Sequence, residues 1–152
     1  MISKKAALSR AAFFIVNISA ISATICMLVY TKGIQSDTVV TLNESKTLLA
    51  PYYLFVFKST VLKKTITKVV NSLDDNSAYQ NRFNLFQFDT VTLFANETPG
   101  QWFYEVYEQA SSTNTDPTGL NMVECGKMIL KDSSTLTKIG HEPTTLYKGY
   151  AG

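Results

Sequence analysis

The sequence predicts an all-β fold: an antiparallel, immunoglobulin-like β-sandwich of about seven or eight strands, preceded by an N-terminal hydrophobic helix. Three observations lead to this prediction. Beyond Leu28, apolar residues recur with a period of two, which is typical of strands. Turn-forming residues interrupt this alternation roughly every ten residues, as in sandwiches. Aromatic residues make up 12% of the chain and concentrate in the predicted strands, where rings pack against cross-strand neighbours.

The composition indicates one globular domain without a surface for nucleic acid. The chain has 152 residues and a formal net charge of +2. Three of its 14 basic residues precede position 26, so the remainder carries 11 basic and 12 acidic residues. A body this close to neutral lacks the basic footprint of a nucleic-acid-binding protein. The two cysteines, Cys26 and Cys125, are too few for a disulfide framework or a zinc site, and we expect free thiols.

Residues 1–27 form a hydrophobic N-terminal segment with three alternative roles. Lys4, Lys5 and Arg10 precede the stretch Ala11–Tyr30, which contains no charged residue. A stretch of about 20 apolar residues spans a bilayer core, so a membrane anchor or signal peptide is one interpretation. The polar residues within the stretch also fit an arm buried in a protein assembly. The third interpretation is a dispensable extension, with the authentic start at Met27.

Residues 28–132 are predicted to form the sandwich domain. In "SDTVVTL", Thr38, Val40 and Leu42 share one face of a strand. "PYYLFVFKS" is apolar on both faces, which predicts a central strand covered on each side. "KKTITKVVNS" predicts a half-exposed strand. The following polar stretch predicts a turn, a helical turn at Tyr79–Arg82 and a strand at Phe83–Phe88.

The second half of the domain contains the segment with the densest aromatic content. "DTVTLFA" and the turn "NETPG" lead into "GQWFYEVYEQ", which predicts a two-sided interior strand. A polar loop follows, and "MVECGKMILKD" predicts another strand, in which Gly126 suggests a bulge or a close backbone approach. Residues 133–152 are predicted to form a C-terminal tail or a last edge strand.

The aromatic strand also contains two carboxylates. Its predicted faces are Trp102, Tyr104, Val106 and Glu108 on one side, and Phe103, Glu105, Tyr107 and Gln109 on the other. Glu105 and Glu108 therefore cannot flank one glycosidic bond. We expect Glu105 at a rim or paired with a lysine. We expect the rings to pack in the sheet rather than stack sugars or bases.

No other residue forms a recognised catalytic or metal-binding motif. The only histidine, His141, lies in a polar segment without carboxylates at ligand spacing. Cys125 is expected to be a small core residue. Asp74, Asp75 and Asn76 lack the ligand ladder of an EF-hand and predict a turn. The sequence thus predicts no catalytic, cofactor-binding or metal-binding residues, no cofactor and no enzyme activity.

The order of several short motifs resembles a family of small β-sandwich structural proteins of tailed bacteriophages, including crAss-like and related phages of Bacteroidetes. The resemblance covers residues 28–132. The matching pieces are Thr38–Leu42, "APYYLFVF" at Ala50–Phe57, "SAYQNRFNLF" at Ser77–Phe86, "GQWFYEVYEQ" at Gly100–Gln109, "NTDP" at Asn114–Pro117 and "VECGKMIL" at Val123–Leu130. The family pattern begins near Met27, which favours a dispensable extension before it. These motifs mark packing and turn positions, and no binding residue is carried over.

The resemblance implies a non-enzymatic virion protein that decorates the capsid, joins head and fibre, or sits in the neck or tail. Its partners would be other virion proteins, bound by multiple copies, with localisation in the virion. We expect Ser111–Asn121 and the tail Leu136–Gly152 to contact them. The alternative is a single-span membrane-anchored surface protein with an external β-sandwich, which requires that the N-terminal segment is an authentic anchor.

Overall fold

The computed structural model describes residues 26–133, which form seven strands. The strands are β1 (Cys26–Thr31), β2 (Gln35–Val40), β3 (Tyr52–Ser59), β4 (Lys64–Asn71), β5 (Asn84–Asp89), β6 (Gly100–Gln109) and β7 (Asn121–Lys131). A 3-10 turn, Ser72–Asp74, and one helical turn, α1 (Thr90–Leu93), complete the regular elements of this range. The predicted all-β class is confirmed. The predicted N-terminal helix and the C-terminal tail lie outside the described residues.

The strands form two sheets. Five pair in the order β1-β7-β6-β3-β4, and β2 pairs with β5. β1 runs parallel to β7, whereas every other described pairing is antiparallel. The prediction of a purely antiparallel sandwich is therefore wrong at β1. Gly33, at a φ of 82°, turns the chain from β1 in one sheet into β2 in the other, so β1 pairs with a strand distant in sequence.

The hydrophobic core lies between the two sheets and consists largely of rings. Alternate residues of β3 face β5, and the rings of Phe55 and Phe88 meet edge to face with centroids 4.9 Å apart. Phe94 and Trp102 make a similar contact at 5.7 Å. Such pairs contribute about 0.5–1.5 kcal/mol beyond the burial of their area. The prediction that these rings fill a sheet interior is confirmed.

β3 is a central strand, as its two apolar faces predict. It hydrogen-bonds to β4 and β6, and each residue from Tyr53 to Phe57 is buried. Its core-facing residues Tyr53, Phe55 and Phe57 belong to the cluster between the sheets. Leu54 points to the opposite side of the sheet, where it lies between Val69 of β4 and Tyr107 of β6.

Two local features refine the sequence prediction. The bulge in β7 falls at Val123 rather than at Gly126, because Val106 pairs with Glu124 while Tyr107 pairs with Met122. The helical turn at Tyr79–Arg82 is confirmed by the Arg82 N–H, which donates to the Tyr79 carbonyl at 2.8 Å.

The segment "DTVTLFA" leaves the sheet after its first residue. Asp89 ends β5 and caps α1, because its carboxylate accepts a hydrogen bond from the Val91 N–H at 2.9 Å. The turn places Phe94 in the core. Within residues 26–133, no helix has the length and apolar character needed to cross a membrane.

Candidate docking surface at the loop end

Three loops meet at one end of the sandwich. They are residues 41–51 after β2, residues 72–83 between β4 and β5, and residues 110–120 between β6 and β7. We call these three segments the loop end. Strand direction brings them together, since β2, β4 and β6 all finish at this end.

Glu108 connects two parts of the loop end. The residue is only 3% exposed, and both of its carboxylate oxygens accept hydrogen bonds. The Thr47 N–H donates at 2.8 Å, the Thr47 hydroxyl at 2.7 Å and the Leu48 N–H at 3.0 Å. Asn121 Nδ2, at the start of β7, donates at 2.6 Å. The buried carboxylate therefore fixes residues 47–48 against the strands that hold the third loop.

The hydrogen bonds keep Glu108 ionised. Burial alone would raise the pKa of this carboxyl, because a charge is poorly solvated in the interior. The donors from Thr47, Asn121 and Leu48 outweigh burial and lower the pKa to about 2. At neutral pH the anion is thus a permanent acceptor for these groups.

The segment Ser111–Asn121, predicted from the sequence to contact a partner, is held by a chain of local hydrogen bonds. Ser111 Oγ accepts from the Asn114 N–H at 3.2 Å. Asn114 Oδ1 accepts from the Asp116 N–H at 3.0 Å, and Asp116 Oδ1 accepts from the Thr118 N–H at 3.0 Å. The loop is therefore structured although most of it is exposed.

Asp75 organises the second loop in the same way. Its carboxylate accepts from the Ser77 N–H at 2.9 Å, the Leu85 N–H at 2.8 Å and Asn84 Nδ2 at 2.8 Å. Burial opposes ionisation, but these hydrogen bonds lower the pKa of Asp75. Asn84 Oδ1 in turn accepts from the Leu42 N–H at 3.0 Å. The expected turn at Asp74–Asn76 lies earlier, as the 3-10 turn Ser72–Asp74, whereas Asp75 is extended and its carboxylate is occupied by protein donors.

A polar hollow of about 420 Å³ lies between the first two loops. Asn43, Lys46, Asn81 and Asp75 line it, together with Tyr53 from β3. Burial, followed by the negative charges of Glu108 and Asp75, raises the pKa of Tyr53 to about 12. Its phenol therefore remains protonated at neutral pH.

The residues of the aromatic strand alternate between two faces as the sequence predicts, but the prediction that both faces are interior is wrong, because Phe103 on the second face is 37% exposed. Trp102 is 1% exposed and packs in the core, so it provides no platform for a sugar. Glu105 lies on the opposite face from Glu108, and its carboxylate is 2.6 Å from Lys58 Nζ, which confirms the expected lysine pair. The Tyr107 hydroxyl donates to the same carboxylate at 2.7 Å.

Cys125 and His141 complete the residues that the sequence singled out. Cys125 is a free thiol, but it is half-buried and lies on the outward side of β7, so the prediction of a core residue is wrong. The bulge at Val123 changes the alternation of the strand and makes its faces ambiguous in the sequence. His141 lies outside the described residues. From Cys26 to Ser133, no group of three or more His, Cys, Asp or Glu side chains is arranged to hold a metal ion.

Sequence reasoning misses the linking role of Glu108, because it considers this residue only as half of a carboxylate pair. A detectable signal is present, since Glu108 shares its predicted face with Trp102 and Tyr104. A carboxylate on a buried face requires several donors. The donors themselves are not predictable, because Thr47 lies 61 residues away in sequence.

No protein-family model matches the chain, and no curated protein matches it significantly.

Proposed function

We propose that this chain is a non-enzymatic structural protein of a bacteriophage virion, which docks on other virion subunits through the loop end. The observation that carries the docking role is the set of hydrogen bonds that fixes exposed polar loops to a buried ring core. Ordered loops lose little conformational entropy when a partner binds, so more of the contact energy appears as affinity. The virion itself is proposed from the motifs between residues 28 and 132.

We also propose that the sandwich is of the immunoglobulin-like type. The order β4-β3-β6-β7 corresponds to strands C′, C, F and G of variable-type domains, and β2-β5 corresponds to B and E of the facing sheet. In that correspondence, the loop between β6 and β7 occupies the F–G position. Variable domains use the same end of the sandwich for recognition.

A repeated particle is well suited to such a module. Each copy needs only a modest contact, since simultaneous engagement of many copies raises the overall affinity. The rigid sheets position the loops, and the polar loop Ser111–Asn121 supplies both donors and acceptors. The tail Leu136–Gly152 remains a second proposed contact.

The membrane-anchored alternative has less support from the strand bounds. The uncharged stretch Ala11–Tyr30 overlaps β1, which begins at Cys26. The last residues of the stretch, from Cys26 to Tyr30, therefore belong to the sheet, and the stretch without them is shorter than the roughly 20 residues that span a bilayer core.

The proposal is tested by locating the chain in infected cells. Particles are purified on a density gradient, and the copy number of the chain is measured by quantitative mass spectrometry. The proposal predicts a fixed copy number per major capsid protein after a high-salt wash. Recovery only in carbonate-resistant membranes, with none in particles, would contradict it and favour the anchored alternative.

A further inference from the structure

β4 is an edge strand, and one of its two sides is open to a further strand. Among the described strands, β4 pairs with β3 alone. The Ser72 N–H, next to β4, donates to the Pro51 carbonyl at 3.1 Å. Because hydrogen-bonded pairs in an antiparallel ladder recur at every second residue, the even-numbered residues of β4 bond to β3. The N–H and C=O groups of Thr65, Thr67 and Val69 therefore point away from β3.

A groove of about 260 Å³ lies beside this edge, between β4 and β5. Its lining includes Phe86 and Phe88 of β5, with Lys68, Val70 and Asp74. Lys68 lies on the core side of β4, because directly paired residues share a face and its partner Phe55 belongs to the core. Lys68 nevertheless forms no ion pair with any described carboxylate. The groove thus combines aromatic rings with an ammonium group that has no such partner among residues 26–133.

We propose that the edge of β4 accepts an extended segment of a partner protein, which adds to the sheet as a further strand and places an acidic residue opposite Lys68. The added strand hydrogen-bonds to the outward N–H and C=O groups of Thr65, Thr67 and Val69. In strand addition, main-chain hydrogen bonds of this kind provide affinity, and the side chains beside the edge provide specificity. The groove between β4 and β5 lies where the inward side chains of the added strand would pack.

The side chains on the core side of β4 determine the sequence that the partner segment needs. Ile66 packs against the core and Val70 belongs to it, so the residues of the added strand opposite these two should be apolar. The residue opposite Lys68 should be acidic, since opposite charges directly across a ladder stabilise it and like charges destabilise it. The partner segment therefore has an acidic residue flanked at two positions on each side by an apolar residue, in either chain direction.

Lys68 also disfavours other strands at this edge. An inward-pointing charge on an edge strand protects it against indiscriminate pairing. A second copy of β4 has no carboxylate to place opposite Lys68, because the strand Lys64–Asn71 contains none. An acidic segment of another protein is therefore favoured over a second copy of this chain. The inference rests on the edge of β4 and does not depend on the virion role or on docking through the loop end.

A short synthetic peptide tests the inference on the full chain. Its residues are threonine, valine, threonine, glutamate, threonine, valine and threonine in that order, so the glutamate is central. The peptide is titrated into isotope-labelled protein and followed by nuclear magnetic resonance. We expect the amide signals of Thr65, Thr67 and Val69 to shift and their hydrogen exchange to slow. A peptide with lysine in place of glutamate should bind about five- to tenfold more weakly.

Methylation of the peptide backbone distinguishes strand addition from simple charge attraction. Methyl groups on the nitrogens of the two threonines beside the glutamate remove N–H groups that face β4. This peptide should bind more than about tenfold more weakly, because two hydrogen bonds are lost. A methyl group on the nitrogen of the glutamate is the matched control, since that N–H points away from β4, and it should leave the affinity unchanged.

Reversal of the charge at position 68 tests the assigned pair. The Lys68→Glu variant should bind the lysine peptide more tightly than the glutamate peptide, which is the opposite of the preference of the unchanged chain. Lys127→Glu is the matched control, because it makes the same charge change at an exposed residue of β7. This control should keep the preference for the glutamate peptide.

Several outcomes would overturn the inference. The absence of any shift at millimolar peptide, or equal binding of the glutamate and lysine peptides, would exclude an acidic strand at this edge. Equal binding of the two methylated peptides would exclude strand addition. Shifts confined to β1 or β5 would place the contact at another edge. Slow exchange of the β4 amides that appears without peptide as the protein concentration rises would assign the edge to a second copy.

Discussion

Glu108 and Thr47 lie 61 residues apart in sequence, yet the carboxylate accepts hydrogen bonds from both the N–H and the hydroxyl of Thr47, at 2.8 and 2.7 Å. This contact joins the loop after β2 to the last residues of β6. It makes the loop end part of the folded framework rather than a set of independent loops.

Replacement of Glu108 by Gln tests the importance of this link. The amide retains the size of the side chain but removes the charge and turns an NH₂ group toward existing donors. Hydrogen bonds to charged groups contribute about 1.5–3 kcal/mol each, so we expect the free energy of unfolding to fall by about 2–4 kcal/mol. Urea denaturation followed by circular dichroism measures the change.

Glu105→Gln is the matched control for this substitution. Glu105 lies on the same strand but pairs with Lys58 at the surface, and exposed ion pairs contribute at most about 1 kcal/mol. Equal losses of stability in the two variants would contradict the special role assigned to Glu108.

The free energy of unfolding should depend on pH through the ionisation of Glu108. The pKa of Glu108 in the folded chain is about 2, below its ordinary value of 4.5. The unfolded chain therefore binds a proton first as the pH falls, so stability present above pH 4.5 is lost between about pH 4.5 and pH 2. One pKa unit corresponds to about 1.4 kcal/mol, which limits this contribution to about 3 kcal/mol.

Unfolding curves measured at intervals from about pH 6 to about pH 2 test this prediction, since the range spans both pKa values. Asp75 contributes a loss in the same direction, since its pKa is also lowered. The Glu108→Gln variant should therefore lose less stability over this range than the unchanged chain. An identical loss in both chains would exclude Glu108 as a source of the acid sensitivity.

Replacement by Ala should destabilise the fold to different extents at two neighbouring residues of β6. Trp102 is buried against Phe94, whereas Gln101 is exposed. We expect Trp102→Ala to destabilise the fold by about 3–5 kcal/mol, through lost burial and a residual cavity, and Gln101→Ala to change it by less than about 0.5 kcal/mol. Thermal or urea unfolding distinguishes them, and similar small effects would contradict the assignment of strand faces.

The loop between β6 and β7 should affect docking more than folding. Asn114→Ala/Asp116→Ala removes the side chains that hold its turns. Because both residues lie outside the core, we expect the urea midpoint of unfolding to stay close to that of the unchanged chain. We expect fewer copies of the variant in purified particles, because the loop must then be ordered on binding.

Ser112→Ala/Thr115→Ala is the matched control for the loop variant. Both residues are exposed in the same loop, and the hydrogen bonds described above for its turns are made by other side chains. We expect this control to enter particles at the normal copy number. Normal incorporation of the Asn114→Ala/Asp116→Ala variant would contradict docking through this loop.

The local features of the fold are largely predictable from the sequence, because they depend on alternation within single strands. The period-two patterns of β3 and β6 predict which side chains share a face. They place Glu105 on the face opposite Trp102, where a carboxylate can pair with a lysine at the surface. The parallel pairing of β1 with β7 is not predictable, since it joins strands from opposite ends of the domain. The sequence predicts a bulge at Gly126, because glycine is the stronger local signal. In the structure the bulge lies at Val123.

The loop end is predictable only in part. The polar composition of Ser111–Asn121 indicates an exposed loop, but the sequence does not specify which carboxylate holds the neighbouring segments. That information depends on tertiary proximity, as with Asp75 and Leu85 or Glu108 and Thr47. The placement of an acid on an apolar strand face is the one sequence signal that points toward it.

The central claim is that the rings of the middle region fill the space between two facing sheets, and it is tested most directly by nuclear Overhauser contacts in solution. With centroids 4.9 Å apart, the rings of Phe55 and Phe88 should give strong cross peaks, as should those of Phe57 and Phe94 at 5.4 Å. Absence of both contacts in a folded sample, or ring protons of Phe55 and Phe57 that are accessible to a soluble paramagnetic probe, would contradict the account.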